Sequence, residues 1–341
     1  MRKVFNMTRS DLLISIFVPT GSRAGSLKRV LDSLTKQVYK HFEVIIVDYK
    51  SKDDAFAVIE QFSKKLKIKL IKQEQKGLSL AANMALRKSE GDIFIRTDDD
   101  VEMTPGWLEA INVTFVSDRK IGGVTGPTIV PKKYARNRDL FVFEKKFKQG
   151  ILWRLIGKFY FNFLMDSQPY RVSHWFDSGV FSIGTNFTLS LKEPIQEVTN
   201  LEACNFSVRT KLLRGVGGFD PIYSGVGEYH EADASFKIKE IGYKLIFNPK
   251  AYLFHCPSQD GFFHDRPASY PRMCNFIYFY LRHIKLNSPR KLVKMIGYII
   301  FQDCYYIYQG LVLHQRRLFG AIPASITGFY LYYRKRSGRK K

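Results

Sequence analysis

GDIFIRTDDDVEM, Gly91 to Met103, is a short apolar run that ends in three consecutive aspartates. Ile93, Phe94 and Ile95 read as the core of a buried strand, which places Asp98, Asp99 and Asp100 at its carboxyl end. Adjacent carboxylates repel one another, so three in a row need either full solvation or a compensating cation. A solvated acidic turn is the ordinary explanation of a charge run. Position argues for the second: ligands of open α/β sheets bind beyond the carboxyl ends of the strands, where carboxylates can hold a divalent metal against a phosphate-bearing ligand.

Upstream, Ile14 to Pro19 reads as a first strand, and PTGSRAGSLKRVLDSLTKQ as a loop and a helix with Leu27, Val30, Leu31 and Leu34 at helical spacing. The apolar run Leu12 to Val18 is broken by Ser15 and lacks a small-residue cleavage site, so it is read as this strand and not as a signal peptide. FEVIIVDYKSKDD forms a second strand over Val44 to Val47 that closes on Asp48. An aspartate there can accept from a ribose hydroxyl or a base N–H, or serve as a helix cap or turn residue. No GxGxxG or Walker pattern follows the first strand, which disfavours dinucleotide dehydrogenases and P-loop enzymes. Ala55 to Leu66 predicts a helix, Ile68 to Lys72 a third strand, and Gly77 to Gly91 a helix ended by glycine. The alternation of strand and helix predicts an α/β architecture with a mostly parallel central sheet flanked by helices.

The pieces ISIFVPT, FEVIIVD, GLSLAAN, GDIFIRTDDDVEMTPGWL, VGGFD, HEAD with a following GY, and AYLFH occur in this order over about residues 14 to 256. Together they resemble glycosyltransferase family 2, whose GT-A fold joins a nucleotide-binding half to an acceptor-binding half. The resemblance implies a domain over 1–265, with a nucleotide-sugar half at 1–125 and an acceptor half at 126–265 that carries a variable insert near 132–199. It places the nucleotide near Pro19, Thr20, Asp48 and Lys76, the diphosphate at Asp98 and Asp99, a Mn2+ or Mg2+ ion at Asp98 and Asp100, and the donor sugar at Glu202, Ala203 and Cys204. His255 completes the metal shell or contacts the diphosphate in the same comparison, with His264 an unassigned second candidate. The chain departs from the family at Tyr49, where a second acid is common, and at PTGSR in place of PTYNR, which leaves the base open.

Inverting transfer to a sugar hydroxyl needs a base, and the first turn of the HEAD helix carries Glu231 and Asp233. Acids at a helix N-terminus also pair favourably with the helix dipole, so both roles are open on spacing alone. Counted back from Gly242, the resemblance selects Glu231 as the catalytic carboxylate, with Asp233 as its alternative.

The 54 Lys and Arg against 31 Asp and Glu give a net charge of +23, which implies an anionic partner. Cys204, Cys256, Cys274 and Cys304 are widely spaced and form no CxxC pair, as in a reduced, cytoplasmic setting. Residues 266–341 are helical, aromatic and basic in pattern. Within them Met295 to Leu313 approaches the length of a membrane span, but Asp303 would cost roughly 2.5 to 3.5 kcal/mol near the bilayer centre. Gly150 to Met165 reads as either a buried helix or an interfacial segment, and RKRSGRKK as a polybasic tail drawn to anionic lipid. HQRRLF is not the QxxRW of processive relatives, which favours single addition.

The expected protein is a metal-dependent inverting glycosyltransferase, peripheral on the cytoplasmic face of a membrane. It would move one sugar from a UDP-, GDP- or dTDP-sugar to a lipid-linked or glycan acceptor. Transfer to polyprenyl phosphate is the variant within the class. A basic nucleic-acid-binding protein is the rival from another class, and no recognition motif supports it, so no nucleic-acid partner is expected.

Overall fold

The computed structural model describes residues 11–135, 145–257 and 269–338. His264 and the last three residues of the polybasic tail lie outside them. Among the described residues eleven strands appear: β1 (Ile14–Thr20), β2 (Phe42–Tyr49), β3 (Ile68–Gln73), β4 (Ile93–Arg96), β5 (Val101–Met103), β6 (Ile121–Thr125), β7 (Thr128–Ile129), β8 (Gln196–Glu197), β9 (Phe206–Arg209), β10 (Lys244–Phe247) and β11 (Leu253–His255). Eight of them form one sheet in the order β3-β2-β1-β4-β9-β6-β10-β8, and β5, β11 and β7 form a small second sheet. The large sheet is mostly parallel, with β9 antiparallel to both its neighbours and β8 antiparallel to β10.

The sheet is buried on both faces, which is why its strands read as unbroken apolar runs. Alternate residues point to opposite sides. Ile14, Ile16 and Val18 of β1 and Val44 and Ile46 of β2 pack toward α1 (Ala24–Thr35), α2 (Ala55–Ser63) and, through Trp107 and Ile111, α4 (Trp107–Ser117). Phe17, Ile45 and Val47 pack on the other face against Ala81, Ala82 and Ala85 of α3 (Leu78–Lys88). Each fully buried large side chain contributes about 1.5 to 3 kcal/mol.

The α2 helix ends at Ser63, short of the expected Leu66, and α3 is capped at Ser89 and not at Gly91. Gly91 serves packing instead: a Cβ there would lie 2.6 Å from the Ser15 backbone nitrogen, so only glycine admits this approach to β1.

The insert contributes α5 (Gly150–Lys158), which continues as a π-helical turn over Phe159–Leu164. After β9 come α6 (Thr210–Gly215) and α7 (His230–Glu240). The C-terminal region folds as α8 (Ser269–His283), α9 (Pro289–Val312) and α10 (Ala321–Gly338). It shares one aromatic core with the insert, in which Tyr160, Leu164 and Phe176 meet Phe276, Tyr280 and Tyr298. Among the described residues, no helix is long and apolar enough to cross a membrane.

Candidate active site

The carboxyl ends of β1 and β4 open onto a cavity of about 1220 Å3 whose other walls come from the insert and the C-terminal helices. The three aspartates of the opening stretch line it. They are not a solvated turn, because Asp99 and Asp100 are only 3% and 7% exposed. The chain itself supplies the cations that offset their repulsion. Arg23, in the loop after β1, pairs with Asp99 and reaches Asp100 at 3.3 Å. Arg96, the last residue of β4, sets Nη2 2.8 Å from Asp98 and 3.3 Å from Glu231, while Nη1 donates to the Ala203 carbonyl at 2.5 Å.

Burial pushes the Asp99 carboxyl up to about 7 even though Arg23 opposes it, and Thr20 Oγ1 donates to it at 3.1 Å. Burial disfavours the charge of Arg96, but Asp98 and Glu231 outweigh it and hold the guanidinium charged far above neutrality. Asp99 is thus spent on internal partners. Asp98 and Asp100 are the pair that meets His255.

The antiparallel pairing of β11 with β5 sets His255 opposite Val101, which brings its Nε2 to 3.3 Å from Asp100 Oδ1. Asp98, Cys204 and His255 each offer a ligand atom, all within 4.8 Å of one another. Two carboxylates with one imidazole suit Mn2+ or Mg2+. Cys204 Sγ donates to Asp98 Oδ2 at 2.9 Å, and burial pushes this thiol well above its ordinary range. The residues present fit such an ion.

Glu231 lies in the first turn of α7 and lines the cavity, 7% exposed. His230 Nε2 stands 3.1 Å from it, and His230 Nδ1 shares a 2.9 Å hydrogen bond with Ser79 Oγ. Burial pushes the Glu231 carboxyl up, but His230 and Arg96 outweigh it and hold it down at about 2. Asp233 is two residues along the helix and so faces elsewhere. It accepts from the Tyr223 hydroxyl at 3.1 Å and meets His283 at 2.8 Å, Lys237 at 2.6 Å and Arg282 at 3.1 Å. Those contacts fasten α8 to α7, and of the two acids Glu231 is the one at the cavity.

Pro19, Thr20, Lys76, Glu202, Ala203 and Cys204 all line the cavity. At the end of β2 the lining takes Val47 and Tyr49, the neighbours of Asp48. Asp48 itself accepts from the Ser51 hydroxyl and, at 3.3 Å, from the Ser51 N–H, the turn role open to it from sequence. Sequence reasoning passed over Arg23, Arg96, His230 and Ser79. Arg96 did leave a signal, a charge at the end of the apolar run Ile93 to Ile95 and two residues before Asp98.

Residues 15–174 match the family model described as Glycosyl transferase family 2. The glucosyl-dolichyl phosphate glucuronosyltransferase of Haloferax volcanii is 24% identical over 250 residues, covering 71% of this chain and 68% of that protein. The hyaluronan synthase of Pasteurella multocida is 32% identical over 138 residues, which span 37% of this chain but only 14% of the synthase. Among solved structures, a mannosyltransferase from Pyrobaculum calidifontis in complex with GDP-Man and Mn2+ superposes with a TM-score of 0.53 at 16% identity, covering 94% of this chain and 87% of that one. That likeness shows the fold, a GT-A-type α/β arrangement.

Proposed function

This chain is a glycosyltransferase with a family 2 domain over residues 15–174, and from that premise we propose that it moves a single sugar, with inversion, from a nucleotide-diphosphate sugar to a hydroxyl of a membrane-associated acceptor. The observation that carries this reading is Arg96, one buried guanidinium that ties Asp98 to Glu231. It holds a diphosphate-side carboxylate and an acceptor-side carboxylate at a fixed separation across the position of a reacting sugar.

In this reading the nucleotide lies against Pro19, Thr20, Tyr49 and Lys76, with Asp48 shaping the turn beside it, and the donor sugar lies against Glu202 to Cys204. Glu231 takes the proton of the acceptor hydroxyl as the hydroxyl oxygen bonds to the anomeric carbon. The bond from that carbon to the diphosphate breaks on the opposite face, and its electron pair leaves with the nucleoside diphosphate. His230, fixed by Ser79, orients the Glu231 carboxylate. A Mn2+ or Mg2+ ion held by Asp98, Asp100 and His255 would supply a Lewis acid for the departing diphosphate. The Mn2+ in the Pyrobaculum complex supports the use of a divalent ion.

The test is thermal stability of the full chain with UDP-, GDP- and dTDP-sugars, each with and without Mn2+. One donor is expected to stabilise the fold by about 2.7 kcal/mol at a hundredfold excess over its Kd, and only with the metal present. Absence of a shift with every donor would sink the reading.

Membrane association rests on an outward apolar face. Ile151, Leu152 and Leu155 of α5 are 73%, 68% and 58% exposed, and Val293 and Ile300 of α9 are 55% and 56% exposed. The π-helical turn that continues α5 meets α9 where Phe159 packs over Gly297, at which a Cβ would lie 3.0 Å from the ring. With a net charge of +23, this face suits an anionic bilayer surface. In vesicle flotation, Ile151→Asp with Leu155→Asp is expected to lower binding to anionic vesicles about tenfold, and unchanged binding refutes this face.

A further inference from the structure

Beyond Glu231 the cavity lining also holds an aromatic and amide set, Trp175, Tyr229, Tyr298, Tyr306, Gln309 and Gln315. Insert and C-terminal helices build this half together. Trp175 and Tyr229 stand with ring centroids 5.8 Å apart. Tyr229 holds a φ of 76° immediately before the helix that carries Glu231. For a bulky residue this left-handed backbone is strained, and such strain gathers at ligand clamps.

Three polar atoms on side chains that line the cavity have no hydrogen-bond partner among the described residues although they are buried: Trp175 Nε1, Asn200 Oδ1 and Gln315 Oε1. Orphaned buried groups are rare in folded proteins. One donor and two acceptors in the lining of one cavity match a ligand whose groups both donate and accept.

We propose, on the basis of the glycosyltransferase reading above, that this half of the cavity is a saccharide subsite and that the acceptor is the hydroxyl of a neutral glycan end rather than a polyprenyl phosphate. Sugar hydroxyls answer all three orphans, and the Trp175 and Tyr229 rings take the apolar C–H face of a pyranose. A phosphate finds the wrong electrostatics here. Arg272, which α8 contributes to the lining, already faces Glu228 with Nε 3.5 Å from the carboxylate, and the Glu231 carboxylate repels a second anion.

The experiment gives the full chain the donor that stabilises it, with Mn2+, and two acceptor pools: p-nitrophenyl glycosides of the common hexoses and N-acetylhexosamines, and undecaprenyl phosphate. Label is expected on a glycoside, and Trp175→Phe and Gln315→Leu are each expected to raise the glycoside KM about tenfold with kcat changed less than twofold. Donor-induced thermal stabilisation in each variant reports that it is folded. Label on undecaprenyl phosphate alone, label on neither pool, or an unchanged KM in both folded variants overturns the subsite. If no donor stabilises the wild-type chain, it is the glycosyltransferase reading that fails, and the two failures are thereby distinct.

Discussion

Glu231→Gln is expected to lower the transfer rate by about a thousandfold, the middle of the range for loss of a general base. The amide cannot accept the hydroxyl proton, yet it is the same size and keeps an oxygen for His230 and Arg96. Arg96 retains Asp98 as its ion-pair partner, so the fold survives with a lower Tm. The pH dependence has a definite sign. Because His230 and Arg96 hold the wild-type carboxyl at about 2, below its ordinary 4.5, the stability that its charge contributes is fully present above 4.5 and lost as pH falls toward 2. The stability gap between wild type and variant therefore closes in acid, and the acid limb of the wild-type rate profile near neutrality does not belong to Glu231. Transfer by the variant at more than a tenth of the wild-type rate, measured with saturating donor, would remove Glu231 from the mechanism.

Asp98→Asn and Asp100→Asn are each expected to abolish Mn2+-dependent stabilisation by donor and to lower transfer by at least about a hundredfold, the scale of losing one electrostatic contact to a leaving group. The neutral amides fill the same space but remove one of the two carboxylates that sit beside His255. With Asp98→Asn in place Arg96 turns its full charge on Glu231, so that variant also reports on the coupling across the site. Chelation with EDTA reproduces the loss in the wild type, and added Mn2+ restores it. Full activity in EDTA, or equal Mn2+ dependence in wild type and both variants, excludes a metal at these carboxylates.

Much of the fold was legible because sheet burial writes itself into period and punctuation. The runs Ile14 to Val18 and Val44 to Val47 are almost unbroken in apolar character because both faces of the sheet are covered, and Leu27, Val30, Leu31 and Leu34 mark one helical stripe. Gly91 was misread for a reason that no local pattern carries: its role is set by Ser15, in a strand whose approach only the folded sheet creates. The same holds for Asp233. Its spacing from Glu231 made both acids candidates, and the helix turn of about 100° per residue sent one to the cavity and the other to Arg282 and His283 of α8.

By itself, the stretch Gly91 to Met103 determined that three carboxylates stand at the end of a buried strand and that either full solvation or something cationic must answer them. Tertiary structure alone decided what answers. Arg23 and Arg96 neutralise the cluster from within, Asp99 is withdrawn into that pairing, and Asp98 and Asp100 are left beside His255. The physical reason is that compensation between charges depends on distance and burial, and residues remote in sequence become neighbours only when β11 is laid against β5 and α7 against the sheet.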